Sequence, residues 1–229
     1  WMANQLVAGG WKLKSMHKLL LQSSTWKQAF DSPQFAEASA KDPENKLLWH
    51  WQRRRLEAEE LRDSMLTVAG RLNAKMGGPS IMIPVDKELT NLLYKPSQWE
   101  VAADKSEHDR RSIYLIAKRN LRIPMMEAFD APDLQISCAR RESSTHAPQA
   151  LELTNGDFAN AMAEALAARL TREAGTDPKG IAERAWALVA SLSPNAKEAG
   201  LTEQFLRGGR PLREFALAVL NLNSFLYLE

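Results

Sequence analysis

Residues 155–174 read NGDFANAMAEALAARLTREA, and they carry a clear helical period. Asp157 can cap the free N–H groups of a first turn, and the helix is expected to end near Gly175. Large apolar side chains share one face of this helix: Phe158, Met162, Leu166 and Leu170. The stretch therefore predicts a capped amphipathic helix that packs on other helices.

The same combination of cap and period recurs on both sides of this stretch. Asp177-Pro178 opens another helix, and Ser193-Pro194 and Arg210-Pro211 are typical of two further starts. Towards the N-terminus, Asp42-Pro43 predicts a long helix that stops at Gly77-Gly78-Pro79. The predicted helices cover residues 11–30, 43–76, 157–174, 178–192 and 211–226.

The middle of the chain is less regular. Helical periodicity fades over residues 80–155, and residues 81–83 and 112–116 favour short strands. We therefore predict a mainly α, multi-helix fold in one domain over residues 1–229. Residues 1–79 and 156–229 are expected to be helical, and the irregular segment between them is expected to contain the short strands.

Composition excludes several classes of function. The 229 residues are 45% hydrophobic with a net charge of +2, which favours a packed core and disfavours nucleic acid as a partner. The single Cys138 excludes an internal disulfide, a Cys-x-x-Cys-His haem attachment and a cysteine zinc site, so no cofactor is predicted. No apolar run is long enough to span a bilayer, and no targeting signal is visible.

Residues 53–63 place three arginines one turn before three glutamates in the predicted long helix. Guanidinium groups in this arrangement can form an anion clamp for sulfate, phosphate or carboxylate. The simpler interpretation is a solvated helix face with i,i+4 ion pairs, each contributing a few tenths of a kcal/mol. The simpler interpretation is favoured.

The irregular segment over residues 110–149 is the best candidate for a binding site, because polar loops on a helical scaffold often carry binding groups. The alternative is that its arginines only satisfy carbonyl groups and helix ends. We expect Arg140 and Arg141 to pair with Glu127, Asp130 and Asp133. The candidate ligand-binding residues are Arg111, Arg119, Glu127, Asp130, Arg140, Arg141 and Thr145.

The histidines, cysteine and tryptophans are predicted to be structural. No two histidines have the i,i+4 spacing of a helical zinc site, so no metal site is predicted. Cys138 is expected to be a small buried side chain. The tryptophans are expected to anchor the core, although Trp49 and Trp51 could stack on sugar rings.

Short runs in order along the chain carry a family resemblance. The runs are WKLKSMHKL (11–19), DPENKLLW (42–49), RRRLEAEELRD (53–63), GRLN (70–73), MGGP (76–79), KRN (118–120), EAFDAPD (127–133), SC (137–138), RR (140–141), APQAL (147–151) and LNLNSFLY (220–227). Through them the chain resembles the planctomycete-type domain of unknown function numbered 1553, often called the PSD domain.

The resemblance implies a context and no activity. The family is usually the C-terminal part of large exported bacterial proteins, behind a second domain of unknown function and often a c-type cytochrome domain. It implies a periplasmic or cell-surface location and an association with polysaccharide metabolism. The family pattern begins upstream of Trp1, so the chain is expected to lack the first part of its domain. His146 stands where the family usually has a small or aliphatic residue.

Two hypotheses about function remain. The first is a non-catalytic accessory or scaffold domain that binds an anionic saccharide through Arg111, Arg140 and Arg141. The second is a carbohydrate-active hydrolase or lyase with Glu127 or Asp130 as acid or base, and with arginines neutralising the substrate. Two carboxylates about 5 to 10 Å apart in an open cleft would favour the enzyme. Carboxylates buried against arginines would favour the binding domain.

Overall fold

The structure is a computed structural model that describes residues 1–228, and it is mainly α-helical as predicted. Two-residue strands β1 (Arg54–Arg55) and β2 (Tyr227–Leu228) form the one sheet of the described residues. Three short 3₁₀ turns lie at Pro96–Gln98, Lys105–Asp109 and Ser112–Tyr114. The α-helices of residues 1–228 are α1 (Met2–Ala8), α2 (Leu13–Gln22), α3 (Phe35–Lys41), α4 (Ala58–Val68), α5 (Lys87–Asn91), α6 (Pro124–Ala128), α7 (Ala147–Asn155), α8 (Asp157–Ala174), α9 (Pro178–Val189), α10 (Ala196–Arg207), α11 (Leu212–Leu220) and α12 (Asn223–Leu226).

The chain forms two compact units, which we call the N-terminal unit and the core unit. The N-terminal unit contains Trp1–Arg54 and the C-terminal residues from Tyr227, and the core unit contains Arg55–Leu226. Within residues 1–54, Met16 is the one apolar side chain that is fully buried. The single-domain organisation and the missing first part of the domain stay predictions.

Helix α8 is the centre of the core unit. It packs against α11, α9, α7 and α4. Met162, Leu166 and Leu170 are buried on its predicted apolar face, and Phe158 is partly buried at the edge of the same core. The small side chains of Ala159 and Ala163 are buried as well, which lets neighbouring helices approach closely. The period over residues 155–174 therefore predicted both the helix and its buried face.

The C-terminal half of the chain has helices where the cap signals predicted them, although two predicted caps are wrong. Helix α8 begins at Asp157, but its N-cap residue is Gly156 and Asp157 makes no cap hydrogen bond, and the N-cap of α10 is Asn195 and not Ser193. Helix α9 begins where Asp177-Pro178 predicted, and Asp177 Oδ2 accepts a hydrogen bond of 2.9 Å from the Gly180 N–H. Helix α10 begins after Asn195, which forms a capping box with Glu198. The predicted helix over residues 211–226 is divided into α11 and the short α12.

The long helix predicted over residues 43–76 is wrong for its first half. Asn45 and Leu48 have φ values of 53° and 52°, which an α-helix cannot contain. Asp42 accepts hydrogen bonds from the N–H groups of Lys46 and Leu47, so it closes a turn after α3. The aromatic rings of Phe35, Trp49 and His50 pack against one another beside this turn. Only α4 remains of the prediction, and Glu57 and Glu60 form its capping box.

The arginine-rich run over residues 53–63 is therefore not one helical face. Arg54 and Arg55 lie in strand β1, so the predicted i,i+4 ion pairs with the glutamates of α4 lack their helical geometry. The predicted helix over residues 11–30 is also shorter, because α2 ends at Gln22 and residues 24–27 form turns. Helices α1, α3, α5, α6 and α7 were missed.

The two short strands predicted at residues 81–83 and 112–116 do not form, and one isolated β-bridge stands in their place. Ile81 forms an isolated parallel bridge with Leu115. The Ile81 N–H donates to the Tyr114 carbonyl at 2.8 Å, and the Ile116 N–H donates to the Ile81 carbonyl at 2.9 Å. Residues 112–114, predicted as part of a strand, form a 3₁₀ turn instead.

Candidate functional site

The core unit contains a cleft of about 600 Å³ beside the junction of α7 and α8, which we call the α7–α8 cleft. Its volume lies within the range of small-molecule sites. One wall is formed by the end of α7 and the start of α8, from Glu152 to Phe158. The other walls come from the segments around Asp86, His108 and Ile123, and from Arg62 of α4.

Gly156 determines the geometry of this wall, because it ends α7 and also precedes the first turn of α8. A Cβ atom at this position would lie 2.8 Å from Glu152 Oε1 and closer still to the Glu152 backbone oxygen. Only glycine leaves room for the Glu152 backbone and carboxyl group here. The tight junction therefore places Glu152 and Asp157 on the same side of the cleft.

Four carboxylates line the cleft: those of Asp86, Asp109, Glu152 and Asp157. Asp109 pairs with Arg71, and within residues 1–228 none of the other three forms an ion pair. Burial raises the pKa of Glu152 above its ordinary value of 4.5, and the negative charges of Asp157 and Asp86 raise it further. Glu152 therefore holds its proton at a higher pH than an exposed glutamate does.

The two arginines that line the cleft form hydrogen bonds within the protein, and the buried Arg62 Nε is left without a partner among the described residues. Arg71 donates to Asp109 Oδ2 from Nη2 at 2.8 Å and from Nε at 3.0 Å. Arg62 donates to the backbone oxygens of Arg110 at 2.9 Å and His108 at 2.5 Å, and to Ser112 Oγ at 3.2 Å. The charge that remains available to a ligand in the cleft is therefore negative.

Arg141 makes ion pairs within the protein. Its guanidinium group donates to Glu59 through two bonds of 2.7 and 3.0 Å, and to Glu57 Oε2 at 2.7 Å. Glu59 hydrogen-bonds raise the pKa of Arg141, and the Arg141 bonds lower the pKa of Glu59 against the opposing effect of burial. The predicted partners of Arg140 and Arg141 are thus wrong, because Arg141 binds the start of α4.

The other predicted polar residues of the loop lie in different places. Arg111 is 61% exposed and has its Nε 3.3 Å from Asp63 Oδ2. Arg119 lies in an exposed turn, and Arg140 and Thr145 are also exposed. The side chains of Arg119, Arg140 and Thr145 have no hydrogen bond or ion pair within the described part of the chain. None of the seven predicted residues lines the α7–α8 cleft.

Asp130 anchors the loop that precedes α7. Its carboxylate accepts from Arg55 Nη2 at 2.7 Å, from the Ser144 N–H at 2.9 Å and from Ser144 Oγ at 2.7 Å. Burial raises the pKa of Asp130, but the bonds from Ser144 and the charge of Arg55 outweigh burial and lower it overall. This arrangement is the buried carboxylate–arginine pair that argues against Asp130 as an acid or base.

Glu127 is 59% exposed, and its Oε1 lies 3.6 Å from Arg122 Nη1. Asp133 also pairs with Arg122, at 2.8 Å, and not with Arg140 or Arg141. Glu127 and Asp130 therefore do not form the pair of open-cleft carboxylates that the enzyme hypothesis required. Glu152 and Asp157 were missed because the sequence offered only an Asn-Gly boundary and a helix cap at their positions.

Other reactive side chains give no further site. Cys138 is exposed and not buried as predicted, because it lies in an open loop beside Arg140. His108 Nε2 lies 2.7 Å from the Ala102 carbonyl, and His50 Nδ1 lies 2.8 Å from the Trp51 carbonyl. Over residues 1–228, no group of three or more His, Cys, Asp or Glu side chains is arranged to hold a metal ion.

Comparison with known proteins gives one match. The model of the family PSD1, described as "Protein of unknown function (DUF1553)", matches residues 1–206. No curated protein and no solved structure matches the chain. Among the described residues, no helix combines the length and the apolar composition that crossing a membrane requires.

Proposed function

We propose that this chain, which belongs to the PSD1 family of proteins of unknown function (DUF1553), is an accessory binding domain. The proposed site is the α7–α8 cleft, and the proposed ligand is a small saccharide that carries an amino group. The observation that carries the proposal is the set of three carboxylates without ion-pair partners in a cleft of about 600 Å³.

Charge selects the class of ligand. Carboxylate oxygens accept hydrogen bonds from hydroxyl and ammonium groups, and the ion pairs they form with ammonium groups are stronger than neutral hydrogen bonds. An anionic saccharide would face like charges from Asp86, Glu152 and Asp157. The apolar side chains of Ile83 and Ile123 complete a lining typical of small-molecule sites.

The anionic saccharide predicted on Arg111, Arg140 and Arg141 stays a prediction with weaker support. Arg141 would have to leave Glu57 and Glu59 to bind an anion. Arg111 has Asp63 beside it, which lowers the local positive charge. Of these three arginines, Arg140 is the one that has no acidic partner within the described residues and can offer its charge to an anion.

The test is calorimetry with three oligosaccharides of equal length: a glucosamine trimer, cellotriose and a galacturonate trimer. We expect the glucosamine trimer to bind, cellotriose to bind at least about tenfold more weakly, and the galacturonate trimer not to bind. Glu152→Gln and Asp157→Asn should each weaken binding of the glucosamine trimer by roughly tenfold. Glu164→Gln, on the exposed face of α8 and outside the cleft, removes the same charge and should leave binding unchanged.

The pH dependence gives a second readout. Binding of the glucosamine trimer should weaken as pH falls through the raised pKa of Glu152, because the protonated carboxyl group loses its charge. The Glu152→Gln variant should lack this step. Preference for the galacturonate trimer in the unmodified protein would instead favour the arginine-based anion site.

A carbohydrate-active hydrolase is the second candidate, because a glutamate with a raised pKa beside an aspartate is the arrangement of a general acid and its partner. Glu152, and not Glu127 or Asp130, would then donate the proton. Release of reducing ends from the glucosamine trimer, lost in Glu152→Gln, would support the enzyme. Binding without turnover would support the accessory domain.

We also propose that the domain works in the periplasm or at the cell surface, as part of a larger protein with a cytochrome c domain and a role in polysaccharide metabolism. The support is the family resemblance. Fractionation of cells that express the native parent protein tests the location, and recovery in the cytoplasmic fraction would contradict it.

A further inference from the structure

The first thirty residues have an unusual charge distribution. They contain Lys12, Lys14, Lys18 and Lys27 and no acidic residue, since the first carboxylate is Asp31. The chain as a whole has a net charge of +2, so the remaining residues are net negative. The positive charge of this segment is therefore carried by α2, by Lys12 directly before it and by Lys27 in the turn after it, while α1 has no charged side chain.

The same thirty residues expose large apolar side chains. Trp1 is 73% exposed, Trp11 is 71% exposed and Trp26 is 53% exposed. Leu13, Leu19, Leu20 and Leu21 of α2 are exposed as well. We call this region, residues 1–27, the basic aromatic surface.

Helix α2 carries both kinds of side chain. Leu13, Met16 and Leu20 share one face of the helix, and Met16 in the middle of that face is buried, whereas Leu13 and Leu20 stay exposed on either side of it. Lys14 and Lys18 share another face, with the exposed Leu21 beside them. Exposed leucines and lysines on neighbouring positions of one helix are the side chains that contact a membrane interface.

The turn between α1 and α2 holds Trp11 in the left-handed region, with a φ of 62°, which costs a non-glycine residue about 1–2 kcal/mol. The Trp11 N–H donates to the Leu6 carbonyl at 2.9 Å, so this conformation closes the end of α1. The fold thus accounts for the backbone at Trp11, while the indole ring stays 71% exposed and available to a partner.

We infer that the basic aromatic surface docks on an anionic lipid bilayer. A bilayer interface accommodates indole rings and leucines at the level of the headgroups, while lysines contact the anionic phosphates. Two copies that meet through this same surface fit poorly, because each would present the same four lysines to the other. Docking is peripheral and independent of the ligand proposed for the core unit.

The test is flotation of the full chain with vesicles of phosphatidylcholine alone and of phosphatidylcholine with 30 mol% phosphatidylglycerol. We expect binding to the anionic vesicles at low salt, loss of most binding at about 0.5 M NaCl, and little binding to the neutral vesicles. Replacing both Lys14 and Lys18 by Glu should weaken partitioning by at least roughly tenfold. Replacing Trp11 by Ser should weaken it as well, with the helical circular dichroism retained.

The matched control replaces Lys179 and Lys197 by Glu. Both are exposed and lie in the first turns of α9 and α10, where glutamate is favourable. Lys179 makes one exposed contact of 3.9 Å with Glu183, which contributes little stability, so the same charge change leaves the fold intact. The control variant should bind anionic vesicles as the unmodified chain does. Equal loss in both double variants would overturn the inference, since general charge would then explain binding.

Binding partners other than a bilayer would each give a different experimental result. Dimerisation without lipid that is lost in Trp11→Ser would assign the surface to a second copy. Polyglutamate that competes for the chain as well as anionic vesicles do would assign it to an acidic protein. Failure of the native parent protein to bind the anionic vesicles would assign it to another part of that protein. Each of these results would overturn the lipid assignment.

Discussion

Asp130 connects strand β1 with the loop before α7, where Arg55 of the strand also donates to the Ser144 carbonyl and to Gln149 Oε1. Its φ of 61° places it in the left-handed region, which Asp and Asn tolerate better than other non-glycine residues. This conformation lies where the carboxylate meets Arg55 and both donors of Ser144. The side chain of Arg55 is only 7% exposed, so the loss of this charge partner is costly.

Asp130→Asn should lower the free energy of unfolding at pH 7 by about 2–3 kcal/mol, because it removes a half-buried charge and keeps the backbone preference. Asp130→Ala should cost roughly a further 1 kcal/mol from the positive φ. Urea denaturation measures both. The control is Asp133→Asn, whose more exposed pair with Arg122 should contribute less than about 1 kcal/mol. Equal losses for Asp130→Asn and Asp133→Asn would contradict the buried-anchor interpretation.

Arg141→Ala tests the pairs with Glu57 and Glu59. The arginine side chain is 34% exposed, so solvent screens the pair and the expected loss of stability is about 1 kcal/mol. Because Arg141 lowers the pKa of Glu59, this stabilisation is present above pH 4.5 and is lost as pH falls through the folded-state pKa. An NMR titration should show the pKa of Glu59 rising in the variant. An unchanged titration would mean that the pair does not form in solution.

The α7–Gly156–α8 junction is the element that determines the cleft. Two glycines in helical context allow a matched comparison: Gly156, where a Cβ would meet Glu152, and Gly200 in α10, where it would meet nothing within 4 Å. Gly156 lies at the boundary between two helices, and Gly200 lies inside one. The atoms around each glycine decide whether its replacement by alanine stabilises or destabilises the protein.

Gly156→Ala should destabilise the protein by about 1–3 kcal/mol, because the new methyl group forces the Glu152 backbone or carboxyl group to move. Gly200→Ala should stabilise it by roughly 0.5–1 kcal/mol through the lower entropy of the unfolded chain and the better helix propensity. Thermal unfolding of the two variants checks the signs. Stabilisation by Gly156→Ala would mean that the junction is not tightly packed, and ligand binding in the cleft should then be unaffected.

The two units of the molecule differ in how much core they contain. All residues of the main hydrophobic core lie between Leu56 and Phe225, within the core unit. A second, smaller cluster around Leu93, Trp99 and Leu121 belongs to the core unit as well. The core unit therefore contains the packing needed to fold independently.

Removal of residues 1–52 should leave a cooperatively folding fragment whose melting temperature changes by less than about 4 °C, which corresponds to about 1 kcal/mol for a chain of this size. The fragment retains both strands, the main core and the cleft. Calorimetry measures the transition. A fragment without a cooperative transition would show that the N-terminal unit is required for the fold, in agreement with the single-domain prediction.

The sequence by itself determined the fold class, the position of α8 with its buried face, the start of α9 and the family. Each of these depends on residues close together in the chain, since caps act within one turn and the helical period within a few turns. Tertiary structure decided the rest. Left-handed turns at Asn45 and Leu48 interrupt the helix that was predicted after Asp42. Arg55 and Asp130 form an ion pair although they are 75 positions apart in the chain. The carboxylates of the cleft come from separate segments. These features depend on long-range packing and on burial of charge, neither of which leaves a periodic signal in the sequence.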